Sequence, residues 1–248
     1  MNALILAAGL GTRLKPLTDN IPKALVKVNG IPLIQHLLDR LNNDGFDNVV
    51  INVHHFAEQI VNYINNIKTK GVNIVISDES KLLLDTGGAI KKAARLIDLK
   101  NALLVHNVDI FHNISLKDFY EKYANYADAV LIVSKRMTSR YLLFNENNRL
   151  VGWINMKTGE IRSPFEEVKN NPAAFNRYAF SGIHLLNKDI VEYMDNWGER
   201  FSVIDFYLDA CVNYSIVGIV YPDLNLLDVG KIDSLKIAER FLIEDTIK

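Results

Sequence analysis

The chain has 248 residues, room for one large domain or a domain with a sizeable insertion. Lys+Arg 28 against Asp+Glu 29 leave a formal net charge of -1, which argues against a nucleic-acid binder with its usual basic excess. A single cysteine, Cys211, excludes an internal disulfide framework and any cysteine-cluster zinc site. Hydrophobic residues at 49% can build a substantial core.

Ala3–Leu6 reads as a strand. The apolar start Ala3–Leu10 is too short for a signal peptide and lacks a basic leader, and no apolar run approaches membrane-spanning length. A soluble, cytoplasmic protein is expected. Leu33, Ile34, Leu37, Leu38 and Leu41 fall on one helical face, which Gly45 can terminate. Asn48–Val53 reads as a strand, Ala57–Ile64 as a helix and Val72–Ile76 as another strand. A helix is expected from a Thr86 N-cap through Ala94, then a continuously apolar strand at Ala102–Val105. Ser115-Leu116-Lys117-Asp118 is close to a capping box and opens a helix to about Tyr126, followed by a strand at Ala129–Val133. Apolar strands between amphipathic helices predict a Rossmann-like α/β three-layer sandwich, a mostly parallel sheet with helices on both faces.

The pattern changes between Lys135 and Phe175. Tyr141–Phe144 and Leu150–Ile154 read as antiparallel strands about the turn Asn145-Glu146-Asn147-Asn148, and polar sequence follows through Asn171-Pro172. A small antiparallel insertion, 135–175, is expected to act as a lid within a single domain spanning 1–248. Phe180–Leu186 returns to strand, Val203–Val212 to helix and Ile216–Val220 to strand, and a helix over Ile232–Ile247 closes the chain.

The most informative stretch is Ala8-Gly9-Leu10-Gly11-Thr12-Arg13, directly after the first strand. Glycines let backbone approach an anion, and free N–H groups in such a turn form a concave anion site. Arg13 adds a forked positive charge and Lys23, behind Pro22, a compact one. A dinucleotide fingerprint requires a third glycine opening a helix, and a P-loop ends in Gly-Lys-Ser/Thr; both are absent, against a dinucleotide-dependent oxidoreductase.

Leu6-Ala7-Ala8-Gly9-Leu10-Gly11-Thr12-Arg13-Leu14-Lys15-Pro16-Leu17-Thr18, then Pro22-Lys23-Ala24-Leu25-Val26, resembles the opening of the sugar-1-phosphate nucleotidyltransferases. The resemblance continues at Leu84-Asp85-Thr86-Gly87-Gly88, Asn107-Val108-Asp109, Phe180-Ser181-Gly182-Ile183 and Asp228-Val229-Gly230, so it spans nearly the whole chain. The family usually has Gly-Asp where this chain has Val108-Asp109.

This resemblance implies transfer of a nucleotidyl group from an NTP to a sugar 1-phosphate, giving an NDP-sugar and pyrophosphate. Ala8, Gly9, Gly11, Thr12 and Arg13 would hold the triphosphate, with Asp85, Thr86, Gly87, Gly88 and Asn107 on the nucleoside side. Lys23 and Gly182 would meet the sugar phosphate. Arg13, Lys23 and Asp109 would be catalytic, and Asp109 and Asp228, from distant loops, would hold one Mg²⁺. Within the family the chain is most similar to members using UTP and N-acetylmuramate 1-phosphate, with mannose-1-phosphate and heptose-1-phosphate guanylyl transfer as alternatives. A regulatory protein that binds nucleotide without turnover is the competing class. The adjacent His54-His55 pair and His106 suit a shared metal badly, because neighbours on a strand point to opposite sides. Trp153 and Phe165 are candidate sugar-side contacts.

Overall fold

The computed structural model describes residues 1–67 and 71–246. β1 (Asn2–Leu6) is followed by a short hairpin, β2 (Lys27–Val28) and β3 (Ile31–Pro32), and by α1 (Leu33–Asn43). Then come β4 (Asn48–Val53), α2 (Ala57–Asn66), β5 (Asn73–Asp78), α3 (Asp85–Ala94) and β6 (Ala102–Asn107). β7 (Ile110–His112), α4 (Leu116–Tyr123) and β8 (Ala129–Ser134) complete the first half. The insertion holds β9 (Arg140–Phe144), β10 (Leu150–Asn155), β11 (Ile161–Arg162) and α5 (Glu166–Asn170). After it come β12 (Asn176–Asn187), α6 (Lys188–Tyr193), α7 (Val203–Ala210), β13 (Ile216–Val220), β14 (Leu226–Asp228) and α8 (Ile232–Thr246).

The expected apolar face of α1 is the buried one, Leu33, Ile34, Leu37, Leu38 and Leu41, and Gly45 leaves the helix end at φ +80°. Ser115 Oγ accepts the Asp118 N–H at 3.1 Å, which is the N-cap half of the box read from the sequence. Strands β5, β4, β1 and β6 lie side by side and parallel. β12 pairs antiparallel with β6 on one side and β8 on the other, and β13 lies parallel to β8. The sheet is therefore mixed and mostly parallel. Alternate side chains divide between two cores, as a two-sided sheet requires. Ala3, Ile5, Val49 and Ile51 pack toward α1, α2 and α4. Leu4, Val50, Leu103 and Val105 pack toward α3, α6 and α7.

Registry places the insertion. Ile183 of β12 pairs with His106 at the end of β6, so residues 176–182 rise past the carboxyl edge of the parallel strands. There β9 joins β12 through Asn176–Tyr178, and β10 and β11 follow outward. Leu143, Val151, Ile154 and Val168 give this hairpin layer a core of its own, with Phe165 and Phe175 against it.

One local expectation, the Thr86 cap, is corrected. α3 begins at Asp85, with Leu84 at the cap position, so Thr86 lies inside the first turn; its Oγ1 accepts the Val203 N–H at the start of α7. β7 and β14, too short to show a period, form a separate antiparallel ladder. α8 ends at Thr246, and Ile247 lies outside the described residues. No helix among the described residues is long and apolar enough to cross a membrane.

Candidate active site

The carboxyl ends of β1 and β6 and the start of α3 border a cavity of about 410 Å³, where ligands of open parallel sheets bind. Ala8, Gly9 and Arg13 line it from the loop after β1, and Lys23 from the next turn. Asp85 and Thr86 line it from α3, and Asn107 and Asp109 from the end of β6. Eight of the residues singled out from the sequence thus meet in one cavity.

The loop after β1 is built for close approach. Gly11 sits at φ +65°, where a Cβ would lie 2.9 Å from Thr18 Cγ2 and 3.2 Å from Lys23 Cβ. Thr18 is buried, and its hydroxyl donates to Gly11 O at 2.8 Å, closing the loop on itself. A side chain at position 11 would therefore push Lys23 away from the site. Gly9 has open space where a Cβ would stand, and it lines the cavity with its backbone uncovered. Gly11 and Thr12 do not line the cavity; they shape the turn that carries Arg13.

Lys23 Nζ donates to Asp109 Oδ2, and both side chains are nearly buried. Asp109 follows β6 and is joined to Asp228 through the small ladder: Asp228 pairs with Ile110, and the Val229 N–H donates to Asp109 O at 2.8 Å. Asp228 Oδ1 accepts the Gly230 N–H at 2.7 Å, and Oδ2 lies 3.9 Å from Arg13 Nη1. Gly230 leaves room for both side chains, since a Cβ would lie 2.5 Å from Arg13 Nη2 and 2.6 Å from Asp228 Oδ1 and would make them shift. Asp228 stands beside the cavity rather than lining it. Two carboxylates on neighbouring strand ends match the donor set of a divalent cation that takes its other ligands from phosphate and water. Among the described residues no group of three or more His, Cys, Asp and Glu could hold a metal unaided.

Val108, where glycine is usual in the resembled family, is buried among apolar side chains and donates its N–H to Leu6 O at 3.2 Å. It is not among the described residues at positive φ, so nothing here demands glycine. Gly182 does need it: at φ +78° a Cβ would lie 2.5 Å from Asn107 Nδ2. A Cβ there would therefore displace Asn107, which lines the cavity, whereas Gly182 itself does not.

Gly87 and Gly88 lie away from the cavity, against the segment before α7. A Cβ on Gly87 would lie 2.3 Å from the Phe201 ring, and one on Gly88 2.1 Å from Glu199 O. Their N–H groups donate to Phe201 O at 2.9 and 3.3 Å. The docked segment carries Arg200 into the cavity wall, a residue that sequence reasoning missed because nothing local marks it. Asn52, at the end of β4, was also missed; it lines the cavity and accepts from loop amides. Trp153 is buried in the sheet core beneath the Arg162 guanidinium, 4.1 Å from its ring centroid, and Phe165 packs in the insertion. Neither lines this cavity.

His106 is structural. His112 Nδ1 accepts the Ile114 N–H at 3.1 Å, so its Nε2–H donates to His106 Nε2 at 3.0 Å, leaving His106 Nδ1–H for Asn107 O at 2.7 Å. Burial lowers the His106 pKa to about 4, so this neutral relay holds the chain beneath Asn107. His54 Nδ1 bonds Glu79 O at 2.7 Å, while His55 stacks by Phe56, so the two neighbours share no ligand. Burial also raises the Cys211 thiol to about 12, as for an inert packing residue.

Comparison with known proteins agrees with this geometry. Over 109 residues, 43% of the chain, it is 47% identical to an N-acetylmuramate alpha-1-phosphate uridylyltransferase of Caulobacter vibrioides. The chain spans less than half of that relative's length, 45%. It is 30% identical over 231 residues to a D-glycero-alpha-D-manno-heptose 1-phosphate guanylyltransferase of Campylobacter jejuni, covering 93% of the chain and 95% of the relative. The crystal structure of HddC from Yersinia pseudotuberculosis complexed with GMP-PN shares the fold at TM-score 0.73 and 23% identity, covering 97% of this chain and 99% of that one. The nucleotidyl transferase family model matches residues 2–245, spanning the glycine loop, Lys23, Asp109 and Asp228 alike, and the chain belongs to that family.

Proposed function

We propose that this protein transfers a nucleotidyl group from an NTP to a sugar 1-phosphate and releases pyrophosphate. The observation that carries this reading is the meeting of Arg13, Lys23 and Asp109 with the glycine loop around one cavity. A sugar phosphate is already an anionic nucleophile near neutral pH, so no general base is needed. The chemical problem is to bring two anions together in line and to stabilise charge on the α-phosphorus and the leaving pyrophosphate. Amides of the Gly9–Thr12 loop and the Arg13 guanidinium would hold the triphosphate. Lys23 would place its charge at the reacting phosphates, and Asn107 and Asp85 would border the nucleoside. Asp109 and Asp228 would hold a divalent cation, Mg²⁺, which supplies charge neutralisation across the phosphates.

The insertion 135–175, projecting past the carboxyl edge of the sheet, would close over the sugar, although none of its residues lines the cavity. UTP and N-acetylmuramate 1-phosphate are the favoured pair, on the strength of the 47% identity to a protein named for that reaction. Heptose-1-phosphate guanylyl transfer is the second reading, because that relative matches along nearly its full length.

The test is a matrix of UTP, GTP, CTP, dTTP and ATP against several sugar 1-phosphates, read as pyrophosphate release. Release is expected with UTP and N-acetylmuramate 1-phosphate, lost with chelator and restored by Mg²⁺. Silence across the matrix would refute the enzymatic reading. Release with GTP alone would refute the choice of base.

A further inference from the structure

Glu79 is an acidic side chain that the proposed reaction does not use, yet it is only 2% exposed. It follows β5, where its backbone N–H donates to Val53 O at 2.8 Å. Its carboxyl oxygens face two different elements. Oε1 accepts from Asn52 Nδ2 at 2.9 Å, and Oε2 accepts the Leu84 N–H at 3.1 Å. Asn52 is itself buried, and its Oδ1 accepts the N–H of Ala7 at 2.7 Å and of Ala8 at 3.3 Å. One continuous hydrogen-bonded chain therefore runs from the root of the glycine loop, through β4, to the residue before α3.

The residue types follow from the donors they meet. β1 ends at Leu6, so the Ala7 and Ala8 amides have no strand to pair with and need an acceptor. Asn52 Oδ1 supplies it, which turns Nδ2 outward and creates a new buried donor. A group that accepts twice is then needed, because Leu84 N–H is also waiting. Only a carboxyl side chain does this without presenting a hydrogen of its own.

We infer that Glu79 is a positioning residue, which fixes the glycine loop and the start of α3 relative to each other so that the NTP meets a preassembled site. The inference rests on the proposed reading of Ala8–Arg13 and Asp85–Thr86 as nucleotide contacts. Both segments border the cavity, and the Glu79–Asn52 chain ties them together from behind.

The test uses Glu79→Gln, Asn52→Asp and the double variant. Glu79→Gln alone would turn a side-chain NH₂ toward either Asn52 Nδ2 or the Leu84 N–H, leaving donor against donor. Asn52→Asp alone would set carboxyl against carboxyl. In the double variant, the new aspartate can accept from Ala7, Ala8 and the new glutamine's Nε2, while that glutamine's Oε1 accepts from Leu84. Every bond returns with the polarity of its central link reversed.

NTP affinity by calorimetry, KM for each substrate and melting temperature are measured for all four proteins. Each single variant is expected to weaken NTP binding roughly ten- to hundredfold, the cost of one unsatisfied buried donor or a carboxyl clash, with little change in KM for the sugar phosphate. The double variant is expected to bind NTP about tenfold better than Asn52→Asp alone, short of wild type because Asn52→Asp puts a carboxylate on the cavity wall. Single variants that melt early yet bind NTP normally would overturn the inference, since the network would then serve the fold alone. So would a folded double variant that binds no better than the worse single one, which keeps the test decisive if a single variant fails to fold. Wild-type protein that binds NTP without turnover would sink the proposed reaction and leave this comparison intact.

Discussion

Replacing Gly88 by alanine sets two opposing effects against each other, and their magnitudes decide the outcome. Alanine gains at most about 1 kcal/mol over glycine inside a helix. Against this, the new Cβ would lie 2.1 Å from Glu199 O and 3.0 Å from Leu84 Cβ. The obstacle is a backbone carbonyl, which cannot swing aside as a side-chain end could. Relief requires the segment before α7 to move, straining the Gly87 and Gly88 bonds to Phe201 O and the Phe201 N–H bond to Leu84 O. Overpacking of this kind costs about 1–3 kcal/mol and each strained bond about 1 kcal/mol. The net is a loss of about 3–5 kcal/mol, or about 6–20 °C in Tm for a chain of this size. Because the same segment carries Arg200 to the cavity, KM for NTP should rise as Tm falls. Melting followed by dye fluorescence, with steady-state kinetics on the same preparations, reads both. Gly9→Ala is the control: nothing stands within 4 Å of its added Cβ, so Tm should hold while NTP binding suffers. A Gly88→Ala protein as stable as wild type would refute the packing argument.

Other expectations follow from the same geometry. Lys23→Ala should lower kcat about 10²- to 10³-fold, and should destabilise the fold more than Lys23→Ala combined with Asp109→Asn, because the single variant leaves a nearly buried carboxylate unpaired; kinetics and urea titration of both proteins check this. Gly182→Ala should cost about 1–3 kcal/mol from its left-handed backbone and displace Asn107, seen as a lower Tm with a raised KM. Burial holds His106 near 4 and His184 near 3 in the folded chain, against an ordinary 6.5. The unfolded chain therefore binds more protons below pH 6.5, so stability is full above that value and falls as pH drops toward 4 and then 3. Urea midpoints at pH 7, 6, 5 and 4 should decline through this window, and a flat profile between 6.5 and 4.5 would contradict the buried neutral histidines.

The elements most visible in the sequence were those with long periods. α1 showed its five buried positions directly, and the continuously apolar run Ala102–Val105 of β6 showed that the strand is covered on both faces. Arg13 and Lys23 were legible as the cations of a glycine-loop anion site, and Asp109 through the family resemblance that marks it after the strand. What stayed hidden was tertiary. Gly87 and Gly88 look like nucleotide-side glycines, but their small size serves the approach of Glu199 and Phe201, which lie more than a hundred residues away in sequence. Asn52 and Glu79 are polar residues at the ends of apolar strands, indistinguishable from turn residues until Ala7, Ala8 and Leu84 are seen to need acceptors. β7 and β14, of three residues each, carry no pattern at all.

That last pair has a consequence for synthesis. Arg13, Lys23 and Asp109 all leave the ribosome in the first half of the chain, while Asp228 sits at the end of β14, the final strand among the described residues. A nascent chain that has laid down β1 through β6 carries Arg13 and Lys23 of the cavity, but neither Arg200 nor the second carboxylate is yet made. The last of these parts is set in place when Leu226–Asp228 docks on Ile110–His112.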